Sequence, residues 1–139
     1  MKVVINKCFG GFSLSAEGMK RYGELAGFEV FPYVTDYESG DFDRVIRWKN
    51  GDKDLCIYYL KEDIGDLPTK EKLNNAVWFH ERELKRDDKI LVQVVKELKK
   101  KANGRCADLK IVTVPDGVDY EIGEYDGMEH IAEKHRTWG

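Results

Sequence analysis

Much that would announce a function is missing from this chain. No window approaches the ~20 apolar residues that cross a bilayer, and no charged segment followed by a long apolar one opens the sequence. The expectation is a soluble protein that stays where it is made. Cysteine is scarce: Cys8, Cys56 and Cys106 are the three in 139 residues, each alone in its element and none in a C-x-x-C pair. An odd count in so small a chain argues against a disulfide framework and for reduced, small core residues in a cytosolic protein. Neither sign of charge dominates. A formal charge of -3 and a pI near 5.7 argue against holding nucleic acid through a broad basic face. The phosphate-binding patterns G-x-x-x-x-G-K-S/T and G-x-G-x-x-G are absent as well, and no catalytic signature is visible, so no catalytic residue, metal or cofactor is assigned.

What is present suits one globular domain over residues 1–139. With 42% hydrophobic and 35% charged residues, the chain supports a modest single core near the commonest domain size. Residues 2–6 read as a strand covered on both faces, because Val3, Val4 and Ile5 form a continuous β-branched run. A glycine loop follows. Ser15 is a good N-cap, Leu14 can staple onto Met19, and a helix over 16–26, with Met19, Tyr22 and Leu25 or Ala26 inward, ends at Gly27. Gly18 and Gly23 inside it each cost about 1 kcal/mol relative to alanine, which close backbone approach would explain.

Residues 28–34 follow as a strand in which Pro32 favours an edge or a bulge. The apolar runs 42–48 and 55–60, separated by Lys49-Asn50-Gly51-Asp52, carry the strongest short-range hairpin signal. Residues 61–75 read as a surface loop with a helical turn over 69–74. Residues 76–84 read as extended, with Trp78 and His80 on one face and Phe79 on the other. Asp87 or Asp88 caps a helix with a core stripe of Ile90, Leu91, Val94, Val95 and Leu98, which Asn103-Gly104 stops. Lysines crowd its C-terminal end, where they complement the helix dipole. A strand over 106–114, a Pro115-Asp116-Gly117 turn, a return strand over 118–122, a loop over 123–127 and a short helix over 128–134 anchored by Ile131 complete the chain. This order predicts an α+β fold: a mostly antiparallel sheet, two main helices and a short C-terminal helix.

The candidate site begins at Phe9-Gly10-Gly11-Phe12. A glycine pair before a helix N-terminus can turn backbone N–H groups toward a phosphate, with Ser13 or Ser15 adding a hydroxyl. The alternative is a tight turn with structural glycines. At the other end, His135-Arg136-Thr137-Trp138 offers a guanidinium fork for phosphate and an indole face for a base; alternatively, Trp138 tucks the tail onto the core. His130 and His135, with Glu129 and Glu133, are poorly spaced for a metal, since histidines five apart point to different sides of a helix. Cys8 lies near a helix N-terminus, a setting that lowers thiol pKa, but no histidine is near in sequence to activate it. The many tyrosines and tryptophans suit an interface or a stacking pocket, and a strand edge or aromatic patch would serve homo-oligomerisation.

Both chain ends carry a resemblance. Ile5-Asn-Lys-Cys-Phe-Gly-Gly-Phe-Ser-Leu-Ser15, Val114-Pro-Asp-Gly-Val-Asp-Tyr-Glu-Ile-Gly-Glu-Tyr-Asp-Gly127 and Glu133-Lys-His135-Arg136-Thr-Trp138 resemble a family of small uncharacterised proteins encoded by bacteriophages and prophages. The middle of the chain departs more. The resemblance implies a phage setting in the host cytoplasm and little chemistry. By analogy with accessory phage proteins of this size, the expected function is anti-defence: binding, without catalysis, a small anionic, nucleotide-like ligand through Gly10, Gly11, Phe12, Ser13, Ser15, His135, Arg136 and Trp138. The alternative is inhibition of a host protein such as a nuclease, with acidic stretches at 36–43 and 62–66 imitating nucleic-acid charge.

Overall fold

The computed structural model describes residues 1–40, 44–49 and 57–134. The Asn50-Gly51 turn, Cys56 and the tail His135-Arg136-Thr137-Trp138 lie outside the described residues. Strand β1 (Lys2–Asn6) pairs antiparallel with β5 (Leu109–Thr113), Lys2 opposite Thr113 and Asn6 opposite Leu109. The β-branched run makes this ribbon the middle layer. Val4 faces the helices, whereas Val3 and Ile5 face a second hairpin, and all three are at most 1% exposed. Period-two alternation in a run apolar on both sides produces this double burial.

Helix α1 (Ala16–Ala26) has the expected bounds. Ser15 Oγ accepts from Gly18 N–H, and Gly27 exits with φ 93°. Its inward face is Met19, Tyr22 and the two glycines, while Leu25 and Ala26 face solvent. Gly23 is required by crowding: a Cβ there would sit 2.7 Å from Phe28 O and from Val30 Cγ2. Helix α3 (Lys89–Leu98), capped by Asp88, packs on α1 and buries Leu91, Val92, Val94 and Val95. The Tyr22 hydroxyl donates to Asp88; burial first, and that bond second, push its pKa up to about 12. The helix stops at Leu98 rather than Asn103. Lys99 takes φ 54° and ψ -124°, a conformation costing a non-glycine residue of order 1–3 kcal/mol. The lysine run therefore lies on a separate 3₁₀ turn, Lys99–Ala102.

A three-stranded antiparallel sheet is ordered β3 (Val45–Arg47), β2 (Phe31–Thr35), β4 (Ile57–Leu60). The expected pairing of the two runs around Asn50-Gly51 is thus overturned: β2 lies between them and pairs with both. Pro32 is in the central strand, not on an edge. Its carbonyl accepts Trp48 N–H at 3.0 Å just past the end of β3, so the missing N–H falls where that ladder stops. Helix α2 (Lys70–Asn75), capped by Thr69, covers this sheet through Leu73. The segment over 76–84, expected as extended, makes a single bridge, Trp78 to Leu60, and then a 3₁₀ turn, Glu81–Glu83. Trp78 and His80 do share a face, stacked at 5.6 Å, with Phe79 buried behind them.

The last correction concerns the C-terminus. Residues expected as a return strand from β5 and a terminal helix are instead β6 (Tyr120–Tyr125) and β7 (Met128–Glu133), paired with each other. Asp126 and Gly127 join them with φ 49° and 87°, two successive positive values that match the twist of a tight hairpin. Ile122 opposite Ile131 then faces the ribbon. The fold is α+β, and among the described residues the strands pair antiparallel in three small sheets rather than one.

Candidate functional site

Among the described residues the outer edge of β1 has no partner strand, and the way it is closed builds the centre of the site. Arg86 takes that place: its carbonyl accepts Val4 N–H at 2.8 Å, and its guanidinium reaches Val4 O. Glu129 of β7 accepts the Asn6 N–H at 2.8 Å and grips the Arg86 fork with both oxygens, at 2.5 and 2.8 Å. A side-chain pair thus satisfies edge groups that would otherwise be orphaned or open to another chain. Phe12 lies under the Arg86 guanidinium, 3.6 Å from ring centroid to Cζ.

Asn6 binds the glycine loop to this centre. Wholly buried, it donates to Cys8 O and Gly127 O and accepts from Cys8 N–H and Asp108 N–H. Gly10 and Gly11 have φ 120° and 95°, so glycine is required there. Gly10 N–H, however, is already given to Asp126 O at 3.0 Å, and Gly127 abuts Gly11 so closely that a Cβ would meet Gly11 N at 2.1 Å. The amides before α1 are likewise met from within. Glu81 accepts Leu14 N–H at 2.9 Å, Ala102 O accepts Ser15 N–H, and Ser15 Oγ donates to Lys101 O while capping Gly18. The carboxylate at this helix start belongs to the chain itself. Burial pushes the Glu81 carboxyl above its ordinary range, with the Leu14 N–H opposing.

Of the residues expected at the site, Gly11, Phe12 and Ser15 are therefore engaged internally. Gly10 and Ser13 lie on the wall of a cleft of about 190 Å³, with Glu81, Tyr59, Gly104 and Arg105, and the Ser13 hydroxyl donates to Arg105 O at 3.4 Å. Arg105 is exposed and has no carboxylate partner among the described residues. His135, Arg136 and Trp138 lie outside the described residues; Lys134, the last described one, bonds Asp119 at the open end of the β6–β7 hairpin. That point is roughly 23 Å of strand from the Asp126-Gly127 turn at the glycine loop. Glu129 is committed to Arg86, and His130 lies on the opposite, exposed face across Gly123, so the two do not converge on one ion. Cys8 is half-buried. Cys106, expected in the core, is exposed with φ 64° against Gly10.

The acidic stretch at 62–66 is tied down locally, since Asp63 and Asp66 both bind Arg47, at 2.5 and 2.7 Å. Glu81, Arg86 and Arg105 escaped the sequence reading, and Glu129 entered it only as a poorly spaced metal candidate. Only Asn6, a polar residue ending an otherwise apolar buried strand, carried a sequence signal for the network. No protein-family model, curated protein or solved structure matches the chain.

Proposed function

We propose that this chain is a phage-encoded accessory protein that binds a phosphate-bearing small molecule, such as a nucleotide-derived signal of bacterial defence, without transforming it. The phage setting rests on the resemblance of both chain ends. The chemistry rests on one arrangement: the Arg105 guanidinium, without an ion-pair partner among the described residues, on a cleft walled by Tyr59, the Gly10 turn, the Glu81 carboxyl and the Ser13 hydroxyl, which donates to Arg105 O at 3.4 Å and turns from it to meet a ligand. An arginine fork and a hydroxyl are donors suited to phosphate. Arg105 takes the part first given to Arg136. At about 190 Å³ the cleft is smaller than the roughly 300–1,000 Å³ of sites that engulf a whole ligand, so it suits one phosphoryl group with the remainder outside.

Calorimetric titration with a nucleotide panel tests the reading. Binding that is lost in Arg105→Gln and weakened in Ser13→Ala supports it, and Arg136→Ala measured in parallel gives the share of the tail. Absence of binding by any phosphate-bearing compound overturns it.

A second reading, inhibition of a host protein, has its own support. Phe9 and Tyr125 are 55% and 72% exposed on two adjoining tips joined by the Gly10–Asp126 bond. Exposed aromatics on rigid turns are typical anchors of a protein interface. A stoichiometric protein captured from host lysate and lost in Phe9→Ala/Tyr125→Ala favours this reading; a metabolite released on heating favours the first.

A further inference from the structure

A second group of cations precedes Arg105 along the chain, on the strip that also carries the cleft residue Ser13. Residues 13–15 run antiparallel to 101–105: Gly104 N–H donates to Ser13 O at 3.0 Å, Leu14 bridges Asn103, and Ser15 Oγ donates to Lys101 O at 2.5 Å. The cleft occupies one end of this strip and the Lys99–Ala102 turn the other. Four residues separate Arg105 from Lys101, at most about 14 Å of chain. Lys99, Lys100 and Lys101 are exposed, and none has an ion-pair partner among the described residues.

Two features set this turn apart from lysines that merely neutralise a helix end. First, α3 already has Lys96 in its last turn, and the three further cations follow the helix rather than lie on it. Second, Lys99 occupies a backbone conformation that glycine fills most easily, so a charged side chain is kept where a bare turn would be more stable. The cleft seats one phosphoryl group, and the cations continue beyond it.

From this we infer that the ligand carries at least two phosphate groups, the first held by Arg105 and Ser13 and the next lying along Lys99, Lys100 and Lys101. The inference rests on the phosphate reading above and narrows it, from any mononucleotide to compounds such as linear or cyclic dinucleotides and short polyphosphates.

Titration of the full chain with inorganic orthophosphate, inorganic tripolyphosphate and a cyclic dinucleotide tests it. Tripolyphosphate and the dinucleotide are expected to bind about tenfold or more tightly than orthophosphate, an advantage that falls steeply with added salt. Lys100→Gln/Lys101→Gln should erase that advantage and leave orthophosphate binding unchanged. Lys99→Gly gives an independent reading: its melting temperature should rise as strain is relieved, while tripolyphosphate affinity falls. An equal affinity for orthophosphate and tripolyphosphate, or lysine variants that bind both as the wild type does, overturns the inference and leaves the phosphate reading standing. If Arg105→Gln also binds like the wild type, or no phosphate binds at all, the underlying reading falls and the inference with it.

Discussion

Arginine is used twice in this fold in nearly the same way, with opposite consequences. Arg86 lies on the Phe12 ring and holds Glu129; Arg47 lies 5.5 Å from the Tyr33 ring centroid and holds Asp63 and Asp66. The difference is water. Glu129 is 6% exposed and also carries the Asn6 N–H, whereas Asp63 and Asp66 are 51% and 86% exposed. A buried pair draws its importance from what is stranded when one partner goes. An exposed pair is replaced by water at little cost. The first closes a sheet edge and fixes the glycine loop; the second tethers a surface loop.

Breaking the buried member should give the largest effect. Glu129→Ala strips the Arg86 guanidinium of its carboxylate, leaving it Val4 O at 3.4 Å, and takes the acceptor from the Asn6 N–H, and the expected loss is about 3–5 kcal/mol in denaturant unfolding. The double variant Arg86→Met/Glu129→Met should recover much of that loss, because no buried charge remains. A Glu129→Ala melting curve close to wild type would show that the centre is wetter than its burial implies.

Next in size is a test of the loop that this pair supports. Gly127→Ala and Gly117→Ala both place a side chain at positive φ, 87° and 81°, so conformational strain is comparable. Only Gly127 has a neighbour in the way, the Gly10–Gly11 backbone, while a Cβ at Gly117 meets open space. Gly127→Ala is therefore expected to cost about 1–3 kcal/mol more than Gly117→Ala. It should also change amide exchange at Gly10, whose N–H is bonded to Asp126 O.

The same hairpin marks the limit of what could be read from sequence. Caps were legible: Ser15 and Gly27 bound α1 as expected, and Asp88, one of the two aspartates expected to cap α3, does so, because a cap is settled within four residues. The double burial of Val3, Val4 and Ile5 was legible from composition alone. Strand partners were not. Asn50-Gly51 and Pro115-Asp116-Gly117 have the composition of hairpin turns, yet β3 and β4 both pair with β2, β5 pairs with β1, and β6 pairs with β7. Asp126-Gly127 has the same two-residue chemistry and does close a hairpin, where the sequence predicts a loop before a helix over 128–134. Turn residues report where the chain can bend; which strand fills the gap depends on contacts distant in sequence. The glycine loop was located for the right conformational reason, while its amides were already spent on Asp126 and Glu81, contacts far along the chain.

The exposed arginine supplies the contrast to Glu129. Arg47→Met should lower stability by roughly a quarter or less of the Glu129→Ala effect, and added salt should shrink the difference further. Its visible consequence should be local: faster amide exchange at Gly65, whose N–H donates to Asp63, with Tyr33 still bonded to Gly65 O.

The smallest effect, and the one that isolates the role of the partner, is at Glu81. A carboxylate with an arginine is held low: the bond from Arg21 draws Glu97 down to about 2. Glu81 has a single backbone N–H and no arginine bond among the described residues, and burial pushes it above its ordinary value of 4.5. The signs of the two are opposite. Glu97 stabilises the fold above its ordinary value, and that contribution is lost as pH falls toward about 2. Glu81 is held more firmly as the acid in the fold than in the unfolded chain, so its contribution is complete below 4.5 and lost as pH rises through the raised value. Glu81→Gln keeps an acceptor for Leu14 N–H and removes the titration. The stability difference between Glu81→Gln and wild type should therefore grow in favour of the variant as pH climbs through that window and stay constant beyond it. A difference independent of pH would mean that the carboxyl is as well solvated as Asp66, and that burial without a partner leaves no electrostatic trace here.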